Sequence, residues 1–112
     1  MTTYTLEIIQ GSSFNILLTA KNQNGTPIDL SNYNVRGYIK NLYSNTGYLI
    51  NLNPTIYSAT GGIVQINLSG SQTALLPVCQ GVYDLEAATT GETSVIKFIR
   101  GYANINPEVS NF

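Results

Sequence analysis

Asp84 and Glu86 lie two apart in the run Gly81-Val82-Tyr83-Asp84-Leu85-Glu86-Ala87, which is otherwise apolar. Side chains two apart on a strand share a face, and the rise per residue puts them about 6–7 Å apart. Two carboxylates at that spacing could perform the acid–base chemistry of a glycosidase. They could equally be two solvated charges on a sheet. Nothing in the sequence marks a cleft around them.

Other chemistries are harder to build from these residues. The chain has no His, which removes Ser-His-Asp and Cys-His nucleophile systems and most zinc sites. No phosphate-cradling glycine loop and no calcium-loop pattern occurs. No catalytic residue, metal or cofactor is therefore expected. Cys79 is the single cysteine, so no intrachain disulfide forms and the redox compartment stays open. Asn67-Leu68-Ser69 matches a glycosylation sequon. The segment MTTYTLEIIQ shows no basic region followed by a long apolar run, so no secretion signal is expected and the sequon reads as chance. No stretch approaches the ~18 apolar residues of a membrane span.

Charged residues make up 10% of the 112, against a usual share of about 25%. Net charge is −1, so no basic patch for nucleic acid is expected. Thirteen Asn and eight Tyr carry the polarity instead. Such a surface suits extended protein contacts, because little charge must be desolvated. Tyr38, Tyr43, Tyr48 and Tyr102 are the candidates for exposed aromatic anchors. Exposed rings could also stack on sugars, or sit at sheet edges with only the hydroxyl in water.

The elements that must position these residues are short strands broken by turns, in one domain spanning residues 1–112. That pattern predicts an all-β sandwich or barrel. Strands are expected at Tyr4–Ile9, from Phe14 with Ile16 and Leu18 inward, and at Val35–Lys40. Weaker ones follow at Tyr48–Asn51 and Thr55–Ala59 around Pro54, then a clear one through Val64, Ile66 and Leu68. The last two cover Gly81–Ala88 and Ser94–Ile105. Asn24-Gly25 predicts a two-residue hairpin loop with positive φ at both residues. Pro27 lacks a donor and belongs at a sheet edge. Asp29 is placed for an Asx turn, with Leu30 as its core anchor. Ser69–Leu76 predicts one helical turn capped by Ser69 or Ser71 and ended by Pro77.

The final hairpin bears on the acid pair. If Thr90-Gly91 is a two-residue loop, Asp84 faces Lys97, Leu85 faces Ile96 and Tyr83 faces Phe98. Apolar then meets apolar and opposite charges meet, each pair contributing ~0.2–1 kcal/mol. Beyond Phe98 the apolar phase changes, so either a β-bulge near Ile99–Gly101 resets it or both faces of the strand are buried. Gly101 is the natural site for a bulge. The register thus gives Asp84 a structural use.

The order of motifs carries a resemblance across nearly the whole chain. Gly11 to Phe14 is a Gly-x-x-Phe opening, Asn24 to Ser31 reads Asn-Gly-x-Pro-Ile-Asp-Leu-Ser, and Ile66 to Ser69 is a strand ending in Leu-Ser. A Thr-Ala-Leu turn (Thr73 to Leu75), Tyr-Asp-Leu-Glu (Tyr83 to Glu86) and a closing Gly-x-x-x-Ile-x-Pro-Glu-Val (Gly101 to Val109) follow. The chain resembles the immunoglobulin-like β-sandwich modules of tailed-phage virion proteins, and is similar to the N-terminal domain of baseplate upper proteins. Its low charge and many tyrosines are similar to small structural proteins of cyanophage-like marine phages.

The resemblance implies an antiparallel immunoglobulin-like sandwich of about 7–9 strands with one helical turn near 70–76. It also implies a non-enzymatic virion structural protein that assembles in multiple copies on a tail, baseplate or neck. Its partners would be other virion proteins or its own copies, with neither nucleic acid nor membrane, and it would sit on the virion after assembly in the host cytoplasm. In many relatives a longer fibre region follows, whereas this sequence stops after Val109-Ser110-Asn111-Phe112, so a lone module is not expected to be a long fibre. A capsid decoration protein and a carbohydrate-binding attachment module are the alternatives. Interface candidates are Tyr38, Tyr43, Tyr48, Arg100, Tyr102 and Pro27, with the N-terminal strand edge. In the resembling proteins Tyr83 and Leu85 would point inward and Asp84 and Glu86 outward, as a signature of fold.

Overall fold

Alternation decides the two layers, and the computed structural model describes residues 2–22, 24–41 and 47–107. Among these residues nine strands form: β1 (Thr2–Thr3), β2 (Leu6–Ile9), β3 (Phe14–Thr19), β4 (Tyr33–Asn41), β5 (Ile50–Asn51), β6 (Thr55–Ser58), β7 (Ile63–Leu68), β8 (Cys79–Thr89) and β9 (Val95–Asn106), with one α-helix, α1 (Gly70–Ala74), between β7 and β8. The larger sheet runs β1-β9-β8-β4-β5, with β2 also on β9, and the smaller runs β3-β7-β6. This is the strand order of an immunoglobulin-like sandwich.

Leu6, Ile8, Ile39, Leu85, Ile99 and Ala103 from the larger sheet are fully or nearly fully buried, as are Val64, Ile66 and Leu68 from β7. Leu30, Leu52 and Leu76 close the ends of this core from the connections. In β3, Leu18 is buried while Leu17, the residue that breaks the alternation, faces outward at 48% exposure.

The sandwich is not wholly antiparallel. β1 and β2 run parallel to β9, with Thr3 beside Arg100 and Leu6 beside Ala103. The expected first strand, Tyr4–Ile9, begins only at Leu6, and a separate short strand, Thr2–Thr3, precedes it, with Tyr4-Thr5 in neither. The interruption lies opposite Gly101, where a Cβ would come within 2.1 Å of the Tyr4 carbonyl oxygen. Gly101 is thus a place where a neighbouring backbone comes close, and side chains other than glycine do not fit.

Two turns differ from expectation. The β8–β9 connection contains a 3-10 turn at Thr90–Glu92, and four residues, 90–93, lie inside the pair closed by Thr89 N–H donating to the Ser94 carbonyl at 3.0 Å. The Thr89 hydroxyl accepts from Ser94 N–H at 3.0 Å, which favours the wider loop. Facing pairs shift accordingly: Glu86 faces Lys97, Ala87 faces Ile96, Leu85 faces Ile99, Tyr83 faces Gly101, and Asp84 faces Arg100. A bulge does reset the phase, but it falls between Leu85 and Glu86, leaving Phe98 as the extra residue opposite them rather than Gly101. Both Phe98 and Ile99 are buried.

In the first hairpin Gly25 has positive φ, +80°, but Asn24 does not. Asn22 organises that turn, its Oδ1 accepting from Asn24 and Thr26 N–H at 2.9 and 3.1 Å, while Pro27 bridges Lys21.

Two local expectations have clear counterparts. Asp29 Oδ1 accepts from Ser31 N–H at 2.9 Å and from its hydroxyl, an Asx turn that holds the carboxyl below its usual pKa range. Ser69 caps α1 in a reciprocal box with Gln72.

Candidate functional site on the outer face of the larger sheet

Three outward side chains from each of β4, β8 and β9 are aligned by the register in rows at the centre of this face. Arg36, Glu86 and Lys97 form one row; Tyr38, Asp84 and Arg100 the next; Lys40, Val82 and Tyr102 the third. The bulge at Phe98 puts both Lys97 and Arg100 on this face, because it changes the phase between them. A fourth row runs from Gln80 through Asn104 to Glu7, joined by hydrogen bonds of 3.2 and 3.0 Å.

The acid pair is consumed in ion pairs. Lys97 Nζ lies 3.0 Å from Glu86 and 3.2 Å from Asp84, although Arg100 is the residue that faces Asp84. Glu86 also accepts from the Arg36 guanidinium. Hydrogen bonding from Lys97 first, then from Arg36, holds the Glu86 carboxyl below its ordinary pKa, against some desolvation. Lys97 is correspondingly raised by Glu86 and then Asp84. A glycosidase general acid requires the opposite shift, upward, so that it carries a proton near neutrality. The geometry thus gives Asp84 and Glu86 the role of ordering the cations around them.

Four of the chain's five Lys/Arg stand on this nine-residue patch, with two carboxylates, so its formal charge is four minus two, +2. Among the described residues no carboxylate pairs with Lys40 or Arg100. The overall charge of −1 hides this concentration, because the cations come from two distant segments that only the sheet unites. The alternations Arg36-x-x-x-Lys40 and Lys97-x-x-Arg100 were the available signal.

Aromatic rings border the patch. Tyr38 and Tyr48 contact with centroids 4.6 Å apart, tilted by 46°. Tyr48 is 58% exposed and Tyr102 47%. An open depression of about 370 Å³ lies over Tyr38, Lys40, Val82, Asp84 and Lys97. A second, of about 430 Å³, adjoins it past Arg100 and is bounded by Thr3 and Tyr102. The acid pair therefore does border a shallow concavity.

Of the residues singled out from sequence, Tyr38, Tyr48, Arg100 and Tyr102 are brought to this face. Pro27 is exposed at the far hairpin, and Tyr43 lies outside the described residues. Sequence reasoning missed Tyr57, 62% exposed on the short strand β6 of the other sheet. Among the described residues no cluster of metal-ligating side chains occurs, and no helix is long and apolar enough to cross a membrane. No protein-family profile and no curated protein matches this chain.

Proposed function

We propose that the chain is a non-enzymatic virion structural module, assembled in multiple copies on a tail, baseplate or neck, and that the outer face of the larger sheet is its docking surface. One observation carries the docking role. Exposed Tyr38, Tyr48 and Tyr102 surround two cations, Lys40 and Arg100, that have no carboxylate partner among the described residues, while Asp84 and Glu86 are already bonded. Aromatic and Arg side chains are the usual anchors of protein interfaces. The unpaired cations favour a partner surface bearing carboxylates, which would steer the encounter. Many copies of a modest contact then hold by avidity. The virion setting is supported by the order of the motifs from Gly11 to Val109.

The test is the mass and shape of the purified chain by light scattering with small-angle X-ray scattering. A stable ring-sized oligomer supports a tail, baseplate or neck component. A 12 kDa species at every concentration overturns self-assembly and moves the reading to capsid decoration. A glycan array then separates decoration from carbohydrate-dependent attachment.

A further inference from the structure

The two sheets have edges of very different character. β6 is four residues long, follows Pro54 and is irregular between Ile56 and Ser58. The β1–β2 edge is interrupted at Tyr4-Thr5 and carries Glu7. β4, beyond the two residues that β5 covers, bears Arg36 and Lys40. Each of these features discourages another chain from adding a strand. β3 has none of them. It spans six residues, Phe-Asn-Ile-Leu-Leu-Thr, without charge, proline or bulge, and among the described residues it pairs only with β7.

The direction of its free backbone groups can be read from the ladder. β3 and β7 pair with Phe14 facing Leu68 through Thr19 facing Ile63. Ala20 N–H continues that register by donating to the Gly62 carbonyl at 2.7 Å. In an antiparallel ladder the N–H and C=O of one residue point to the same side, and successive residues alternate sides. Phe14, Ile16 and Leu18 therefore bond toward β7. Asn15, Leu17 and Thr19 present theirs outward.

We propose that this edge pairs with the β3 edge of a second copy, antiparallel, about a two-fold axis through Leu17. This register places Leu17 opposite Leu17 of the second copy, Asn15 opposite Thr19, and Ile16 opposite Leu18. Outward-pointing backbone groups meet each other, apolar side chains meet apolar ones, and polar meet polar. The half-exposed Leu17 becomes covered by its own copy. No charge opposes itself across the axis, since β3 has none. The two smaller sheets join into one of six strands, and both outer faces of the larger sheets stay free. The inference deepens the multi-copy reading above and rests on it.

Two substitutions test it. Leu17→Pro removes only an N–H that the β3–β7 ladder does not use, and proline is tolerated at an edge in that position. The expected result is an unchanged circular dichroism spectrum with loss of the concentration-dependent dimer. Leu17→Cys combined with Cys79→Ser gives the second test. A directly hydrogen-bonded antiparallel pair has Cα atoms about 5.5 Å apart, within disulfide range. Oxidation should therefore yield a covalent dimer on a non-reducing gel. Asn15→Cys in the same background should not cross-link, its two copies being about 13 Å apart along the strands.

Equal cross-linking at both positions, or a dimer that survives Leu17→Pro, overturns the edge pairing. If the dimer instead disappears with Tyr38→Ser and Tyr102→Ser, the assembly reading stands and the edge inference falls. A chain that remains monomeric and forms no Leu17→Cys cross-link overturns both.

Discussion

The Tyr83 hydroxyl donates to the Tyr4 carbonyl at 2.6 Å, joining residues 79 apart in sequence. The bond crosses β9 at Gly101, the residue facing Tyr83, where a missing side chain lets the Tyr4 backbone approach. The N-terminal strands are thereby fastened at the one place where their pairing with β9 is interrupted.

Tyr83→Phe keeps the ring and removes that bond. The expected loss is about 0.5–1.5 kcal/mol, read as a lower denaturant midpoint at unchanged slope. Burial, with a further contribution from Tyr4, raises the phenol above its ordinary pKa of 10.0. Its contribution is then fully present below pH 10 and is lost as pH rises from there toward the raised value. The wild-type protein should lose stability above about pH 10 more steeply than Tyr83→Phe. Parallel alkaline curves for the two would show that Tyr83 ionises freely in the folded state.

Gly101→Ala tests the close approach itself. An added Cβ would sit 2.1 Å from a backbone oxygen that cannot rotate away. Overpacking of this kind costs about 1–3 kcal/mol, and the damage should concentrate in β1 and β2. Hydrogen exchange should show faster exchange at Leu6–Ile9 with β3 and β7 little affected. Uniform protection across the chain would contradict this account.

Much of this fold was legible because strand periodicity tolerates certain errors. Reading Thr90-Gly91 as a two-residue loop misplaced every facing pair between β8 and β9. The true loop is longer by two residues, which preserves which side chains point inward, and the bulge at Phe98 adds a third, so Tyr83, Asp84 and Leu85 meet partners three residues further along while the alternation within β8 still sets their faces. Tyr83 and Leu85 were therefore placed on the correct face with the wrong partners, and Lys97 reached Asp84 diagonally instead of from directly opposite. The parallel pairing of β1 and β2 with β9 had no local signal, since hydrophobic alternation says which face is buried and not which strand is adjacent. The cationic patch was invisible for the same reason: Arg36 and Lys40 on β4, and Lys97 and Arg100 on β9, become neighbours only across β8.

The ion cluster predicts an ordering of two substitutions. Glu86 bonds both Arg36 and Lys97 and its side chain is only 14% exposed, whereas Asp84 bonds Lys97 and is 44% exposed. Glu86→Gln should cost about 1 kcal/mol and Asp84→Asn a few tenths, roughly the upper and lower ends for such pairs. Glu86 has its carboxyl pKa lowered, so its contribution is present above about pH 4.5 and fades as pH falls through the depressed value. Lys97 is raised above 10.5, so its share persists below that pH and fades as pH rises through the raised value. Thermal melts from pH 2 to 7 should show the acid-side loss shrink in Glu86→Gln. If Asp84→Asn unfolds the chain, the exposed-pair picture is wrong.

Removing the tyrosines of the outer face separates folding from docking. Tyr48 and Tyr102 are each about half exposed at the larger sheet's outer face, and Tyr38 is about a third exposed against Tyr48. Exposed substitutions away from the core usually change stability by no more than about 0.5 kcal/mol. Tyr48→Ser and Tyr102→Ser should each melt near the wild-type temperature, with Tyr38→Ser slightly lower for loss of the ring contact. Arg100→Ala and Lys40→Ala should likewise fold, since neither cation is ion-paired among the described residues. Against a carboxylate-bearing partner surface, the two cation variants should slow association and flatten its salt dependence. The tyrosine variants should instead speed dissociation, as expected for buried anchors. Stopped-flow or surface-based kinetics at two ionic strengths resolves the two classes. If all five variants bind like the wild type, the docking surface lies elsewhere on the molecule.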